Sequence, residues 1–191
     1  MSIKAHVQLD CTGLSCPMPI VKTKKAMEGI EEGQVLEVKA TDKGSIADLK
    51  AWCDSVGHQY IGMFEENGVL FHYIRKCNEQ VVEKKFEHTI SNDEVLSRVK
   101  NGGILLDVRE EVEYAFGHIE GSISIPMGEL EDRLDELDKD KEIYVICRTG
   151  TRSDLAAQKL VEKGFTKVYN VLPGMSAWKG DLIKNYKFGG V

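Results

Sequence analysis

The chain has 191 residues, room for one ordinary domain or two small ones at about 100–200 residues per domain, and too little for a large multidomain enzyme. Hydrophobic residues make up 42% and charged residues 29%, so the chain can bury a core and is not a disordered one. The net charge of -6, from 31 acidic against 25 basic residues with no basic stripe, argues against a direct grip on nucleic-acid phosphates.

The first strand is expected at His6 to Asp10, followed by the turn residues Thr12-Gly13 and a helix from about Pro17 to Gly29. Val35 to Ala40 alternates apolar and charged residues as a half-buried strand does. Ser45 is the expected N-cap of a second helix, whose Ile46, Leu49, Cys53 and Val56 recur at helical spacing and which Gly57 closes. Tyr60 to Phe64 and Val69 to Arg75 form a hairpin with Asn67-Gly68 in the tight turn. The order β-α-β-α-β-β predicts a two-layer α/β sandwich with both helices on one face of a small sheet.

Residues 78–87 are charged and without a period, so the boundary falls there: a first domain over 1–77, a connector over 78–87 and a second domain over 88–191. Ser91-Asn92-Asp93-Glu94 has the capping-box spacing that opens a helix. Ile104 to Val108, Ile143 to Ile146 and Lys167 to Leu172 are the expected strands. Leu130, Leu134 and Leu137 mark one face of a helix with an acidic opposite face, and Asp154 to Lys163 is another helix. Strands alternating with helices predict a parallel sheet covered on both sides.

No stretch of about 18 apolar residues is present for a membrane span, and MSIKAHVQLD is not a signal peptide; a cytoplasmic protein away from membranes is expected. Five cysteines are a poor disulfide framework and suit a reducing compartment. Cys147 follows a buried strand and precedes a helix, the position at which open parallel sheets bind ligands. Residues Cys147, Arg148, Thr149, Gly150, Thr151 and Arg152 can curl so that backbone N–H groups line an anion cradle at the positive end of the helix dipole, with the two arginines adding charge. Each effect favours thiolate over thiol, which makes Cys147 the candidate nucleophile.

This segment resembles the active-site loop of rhodanese-type sulfurtransferases. The resemblance runs from about His88 to Trp178 and takes in Leu106-Asp107-Val108-Arg109, Glu113-Tyr114, Gly117-His118-Ile119, Gly121, Ile125-Pro126, Gly174 and Ala177-Trp178. It implies that Cys147 takes sulfane sulfur from a donor such as thiosulfate, polysulfide or a low-molecular-weight persulfide, carries it as a persulfide and passes it to a thiophilic acceptor. Phosphatases with a related loop place Arg six positions after Cys; here that position is Ser153, and the shorter loop suits a persulfide better than a phosphoryl group. Asp107 and Arg109 are expected to brace the loop through hydrogen bonds. His118 reads as structural, since no metal-ligand spacing surrounds it.

In the first domain Pro17 and Pro19 mark a helix start, because first-turn N–H groups have no intrahelical partner to lose. Cys16 then lies at or beside the N-cap, where the dipole and free N–H groups would stabilise a thiolate or persulfide, with no general base in the motif itself. Val7 to Lys76 resembles the TusA/SirA family of small sulfur carriers, whose Cys-Pro-x-Pro motif is Cys16 to Pro19 here, with Asp10 and Gly13 also matching. The resemblance implies a cysteine that receives and relays sulfur. Cys53 reads as core and Cys77 as incidental. Cys11, close in sequence to Cys16, is a weak candidate for resolving a persulfide into a disulfide. The acidic run Glu129 to Glu142 reads as a solvated face that could also dock a basic partner.

Together the two resemblances imply a sulfurtransferase in which Cys147 draws sulfur in and Cys16 carries it to an acceptor protein or enzyme, with no metal or organic cofactor. A connector of about ten residues brings the two thiols to an effective concentration in the millimolar range. The competing reading is a non-catalytic docking module that delivers sulfur to a partner enzyme; Cys147 flanked by two arginines speaks against it.

Overall fold

A computed structural model describes residues 3–78 and 84–185, which divide into two compact units, one built on residues up to 80 and the other on 81–184. The first unit comprises β1 (Val7–Cys11), α1 (Met18–Glu28), β2 (Val35–Ala40), α2 (Ser45–Val56), β3 (Gln59–Glu66) and β4 (Val69–Arg75). Its sheet order is β1-β2-β4-β3, with β1 parallel to β2 and the other neighbours antiparallel. Alternation along β2 sends Leu36 and Val38 to one face, where they meet Cys11, Ile74 and, from the two helices, Met27, Leu49 and Cys53 in a single core. Both helices therefore cover one face, as the sequence predicts.

Two local details differ from expectation. β3 runs on to Glu66, because the Asn67-Gly68 turn, with φ of 51° and 77°, needs only two residues and leaves Glu65 and Glu66 free to join the ladder. Ser45 is the first helical residue rather than the cap. Its hydroxyl is engaged elsewhere, 3.0 Å from His72 Nε2 in the core, while Asp42 Oδ1 accepts the Gly44 N–H at 3.0 Å.

The second unit comprises β5 (Thr89–Ser91), α3 (Asn92–Lys100), β6 (Ile104–Asp107), α4 (Glu111–Phe116), β7 (Ile123–Ser124), a 3₁₀ segment (Met127–Glu136), β8 (Ile143–Ile146), α5 (Thr151–Glu162), β9 (Val168–Leu172) and a 3₁₀ turn (Met175–Ala177). All five strands are parallel in the order β5-β9-β8-β6-β7. The central strand β8 is buried throughout. Ile143 and Val145 pack with Leu106 and the α5 residues Ala156, Ala157 and Leu160, whereas Tyr144 and Ile146 pack with Leu105, Val171 and Val95 of α3. Helices thus cover both faces.

The sequence gives no period for β5 and β7, which have three and two residues and sit at the sheet edges. The helix expected around Leu130 is a 3₁₀ segment broken at Arg133, where φ is -122°. Leu130 and Leu137 are nonetheless buried, and Arg133 pairs with Glu129 and Glu136 at 2.9 and 2.6 Å. From Lys84 onward the expected connector is part of the second unit: the N–H groups of Lys85 and Phe86 donate to Asp154 on α5 at 3.1 and 2.9 Å, and Phe86 packs on the core. Residues 79–83 of that connector lie outside the described residues.

Candidate active site

Strand β8 ends at Ile146 and α5 starts at Thr151, and the four residues between them carry the nucleophile. The Cys147 side chain is almost fully buried. Its Sγ accepts the Gly150 N–H at 3.1 Å and lies 3.2 Å from Ser153 Oγ. Gly150, the N-cap of α5, has φ +88°, and a Cβ there would come within 2.3 Å of Leu172 Cδ2. Only glycine satisfies both the left-handed backbone and the packing.

The segment after β9 props the loop from behind. Met175 and Ser176 N–H groups donate to the Cys147 and Arg148 carbonyls, each at 2.9 Å. Because a trans peptide holds its C=O and N–H in opposite directions, these two bonds turn the N–H groups of Arg148 and Thr149 away from the prop and make them available to an anion. Asn170 Nδ2 donates to the Gly150 carbonyl at 3.2 Å in the same way. The prop is itself clasped by Asn92, whose Nδ2 donates to the Gly174 carbonyl at 2.8 Å and whose Oδ1 accepts the Gly174 N–H at 3.1 Å.

The charges are arranged differently from the sequence expectation. Arg148 and Thr149 are exposed and Thr151 is half-buried. Arg152 instead turns inward and binds Glu113 with two hydrogen bonds at 2.6 and 2.9 Å. Burial opposes its charge, but the adjoining Glu113 carboxylate and the nearby Cys147 hold the guanidinium firmly protonated. Asp107 and Arg109 form a buried pair at 2.7 Å, and Arg109 also donates to the Gly117 carbonyl at 2.8 Å. Their hydrogen bonds fix the turn after β6, and among the described residues none reaches loop 147–152. His118 stacks on Tyr114 with ring centres 3.8 Å apart and places Nδ1 2.8 Å from the Tyr114 carbonyl, a packing role. No group of three metal-ligating side chains occurs among the described residues.

Cys16 stands in the opposite kind of environment. It is exposed and lies one residue before the N-cap Pro17. Pro17 and Pro19 have no N–H to offer, and the Met18 N–H is used on the Ser15 carbonyl at 2.9 Å, so the helix end holds little for an anion. The Cys16 N–H donates to Asp42 Oδ2 at 2.9 Å. The Asp48 carboxylate beside it, with desolvation and the negative charges of Asp48 and Asp42, pushes the Cys16 thiol above its ordinary range. The surroundings oppose the expected helix-stabilised thiolate: the prolines leave few free N–H groups, and Asp42 before α2 and Asp48 in its first turn add negative charge. Cys11 is fully buried in the first core. Desolvation raises its thiol, a setting that opposes the resolving role. Cys53 is core, with burial lifting it to about 12. Cys77 receives an Arg75 N–H at 3.3 Å.

Ser153, Glu113, Asp42, Asp48 and the Gly174 prop are the site features that the sequence reading misses or quotes without a role. The E-x-x-E spacing of Glu110 and Glu113, a capping box at the start of α4, is the one local signal that fixes Glu113.

Comparison with known proteins places these two units. Residues 7–76 match the family described as Sulfurtransferase TusA, and residues 91–181 match Rhodanese-like domain. Over 188 residues the chain is 46% identical to "Putative sulfur carrier protein YrkF" of Bacillus subtilis (strain 168), covering 93% of this chain and 98% of that protein. Over 77 residues it is 47% identical to "Putative sulfurtransferase YtwF" of the same organism, covering 40% of this chain and 74% of the relative. The crystal structure of reduced Bacillus anthracis CoADR-RHD shares 49% identity over 46% of this chain and 15% of its own, at a TM-score of 0.44.

Proposed function

The chain belongs to the family of sulfur carrier proteins that join a TusA domain to a rhodanese-like domain, and from that premise we propose that it takes sulfane sulfur onto Cys147 as a persulfide and relays it to Cys16 for delivery to an acceptor protein. The observation that carries this reading is the Cys147 sulfur itself, held by the Gly150 N–H at 3.1 Å and beside the Ser153 hydroxyl at the start of α5. That setting puts a hydrogen-bond donor and the start of a helix at a sulfur positioned for attack.

With thiosulfate as donor, the Cys147 thiolate attacks the outer sulfur. The new S–S bond forms as the old one breaks, and sulfite leaves with its electron pair. The outer sulfur now carries the negative charge, which the Arg148 and Thr149 N–H groups and the α5 dipole can balance. In the relay, Cys16 gives up its proton and attacks that outer sulfur. Cys147 leaves as thiolate, and the proton ends on the Cys16 persulfide or in solvent. Asp48, whose carboxylate acts on the Cys16 thiol, is the group we assign to take that proton. The reducing interior of a cell keeps both thiols available for this chemistry.

Intact-mass and peptide mapping after incubation with thiosulfate tests the scheme. Wild type should gain one sulfur on both the Cys16 and Cys147 peptides, Cys16→Ser on Cys147 alone, and Cys147→Ser on neither. Loading of Cys16 at the wild-type rate in Cys147→Ser would overturn the relay and leave two independent domains.

A further inference from the structure

The residues leading into the second unit are pinned to the helix that carries the Cys147 loop. Asp154, buried on α5, accepts the N–H groups of both Lys85 and Phe86. The Phe86 ring packs against the core cluster that contains Cys147. This anchorage fixes the backbone beside Lys84, and the Lys84 side chain reaches over the loop. A Cβ built on Gly150 would lie 3.2 Å from Lys84 Nζ and 3.4 Å from its Cε. Gly150 is also the residue whose N–H meets Cys147 Sγ at 3.1 Å. Bond lengths therefore keep the ammonium within about 10 Å of the sulfur, near one screening length in physiological salt.

Two of the other cations of this unit are already engaged. Arg152 is bound through both nitrogens to Glu113, and Arg109 is bound to Asp107. Each pair presents almost no net charge to an arriving donor. Arg148 and Lys84 are exposed and form no ion pair among the described residues.

We propose that Lys84, with Arg148, binds the oxyanion end of a dianionic sulfane donor of the thiosulfate type at the mouth of the Cys147 loop. This rests on the sulfurtransferase reading above and adds the residue that selects the donor. Thiosulfate arrives with two negative charges and sulfite leaves with two, so a fixed ammonium beside the loop assists capture and leaves the bond-breaking step at Cys147 untouched. An alkanethiosulfonate transfers its outer sulfur by the same displacement, with the sulfinate as leaving group, but carries only one charge. Lys84, near the C-terminal end of the connector, is thereby part of the active site.

The test is steady-state sulfur transfer to cyanide by the full chain, with thiosulfate and with methanethiosulfonate as donors, in wild type, Lys84→Gln, Lys84→Arg and Cys147→Ser. Loss of one exposed charge should raise the thiosulfate KM of Lys84→Gln about five-fold. The KM for the monoanion should rise about two-fold, with kcat changed by less than about two-fold for either. Lys84→Arg should restore the thiosulfate KM, and 0.5 M salt should erase the difference between wild type and Lys84→Gln, since about 0.5–1 M salt screens beyond a few ångströms. A thiosulfate KM in Lys84→Gln equal to that of wild type, or an equal rise for both donors that salt does not reduce, overturns the assignment. In those cases an inactive Cys147→Ser leaves the sulfurtransferase reading standing. Should wild type itself transfer no sulfur from either donor, both that reading and this one fall.

Discussion

Gly174 stands so close to Cys147 that a Cβ on it would lie 2.6 Å from the Cys147 carbonyl oxygen and 2.9 Å from that of Arg148, at a backbone φ of +98°. The loop cannot move away, since its carbonyls are held by Met175 and Ser176. Gly174→Ala should therefore cost about 1–3 kcal/mol in backbone strain and displace the N–H groups of the cradle. Urea denaturation should report the lower stability, and sulfur transfer to cyanide should fall at least about ten-fold, the equivalent of 1.4 kcal/mol in the transition state. Full activity in this variant would show that the prop is dispensable.

Arg152 is expected to act on stability before it acts on donor binding. Replacing it with Ala leaves the buried Glu113 carboxylate without its bidentate partner, a change that typically costs about 3–5 kcal/mol. Arg148→Ala removes an exposed charge and should leave the denaturation midpoint almost unchanged while raising the donor KM. If Arg152→Ala unfolds at the wild-type urea concentration, the pair is not holding α4 to α5.

The carboxylates around Cys16 set a sign that can be measured. Because Asp48 and Asp42 push the thiol up, Cys16 should alkylate with iodoacetamide at higher pH than an unhindered model thiol. Asp48→Asn should move that profile to lower pH. The same variant should accept sulfur from Cys147 more slowly, since the proton acceptor is gone. Peptide-resolved mass spectrometry at a series of pH values follows the first effect. A profile that does not move, or moves to higher pH, contradicts the placement of Asp48.

His72 gives the first unit a pH-dependent stability. It is fully buried, with Ser45 Oγ 3.0 Å from Nε2 and Tyr60 Oη 2.7 Å from Nδ1. Burial drags it down to about 4. An unfolded histidine titrates near 6.5, so between those values the unfolded chain binds the extra proton. Stability should then be complete above about pH 6.5 and decline as pH falls toward 4, by at most about 3 kcal/mol. Urea midpoints of wild type and His72→Gln across this window should converge at low pH. Parallel curves would assign the acid sensitivity to other groups.

The legibility of this chain follows sequence distance. The four apolar residues of β8 and the glycine of the Cys147 loop are readable because each signal lies within a few positions. The prolines point to Cys16, but its surroundings depend on Asp42, 26 residues away, and on Asp48 on the next helix, which no local pattern connects to it. From sequence Arg152 is legible as a charge and not as half of a pair, since Glu113 lies 39 positions upstream. The edge strands β5 and β7 escaped for a different reason: two or three residues cannot display a period. Lys84 was hidden by composition, since a charged and aperiodic stretch looks like a free connector until Asp154 is seen holding its backbone.

The clasp between Asn92 and Gly174 joins positions 82 residues apart, and this has a consequence for how the protein comes into being. On the ribosome, the Cys147 loop is made before the segment that shapes it. Until that later stretch has emerged and closed a long loop back to Asn92, the sulfur has neither its turned N–H groups nor its cover. Contacts of such high sequence separation form late, after the local ones. The nascent chain thus passes through a stage in which the Cys147 loop lacks the contacts that shape it, and the loop takes its final form only with the completion of the fold. Heating should traverse the same order backwards, with the loop losing its shape as the clasp opens and before the central strands part.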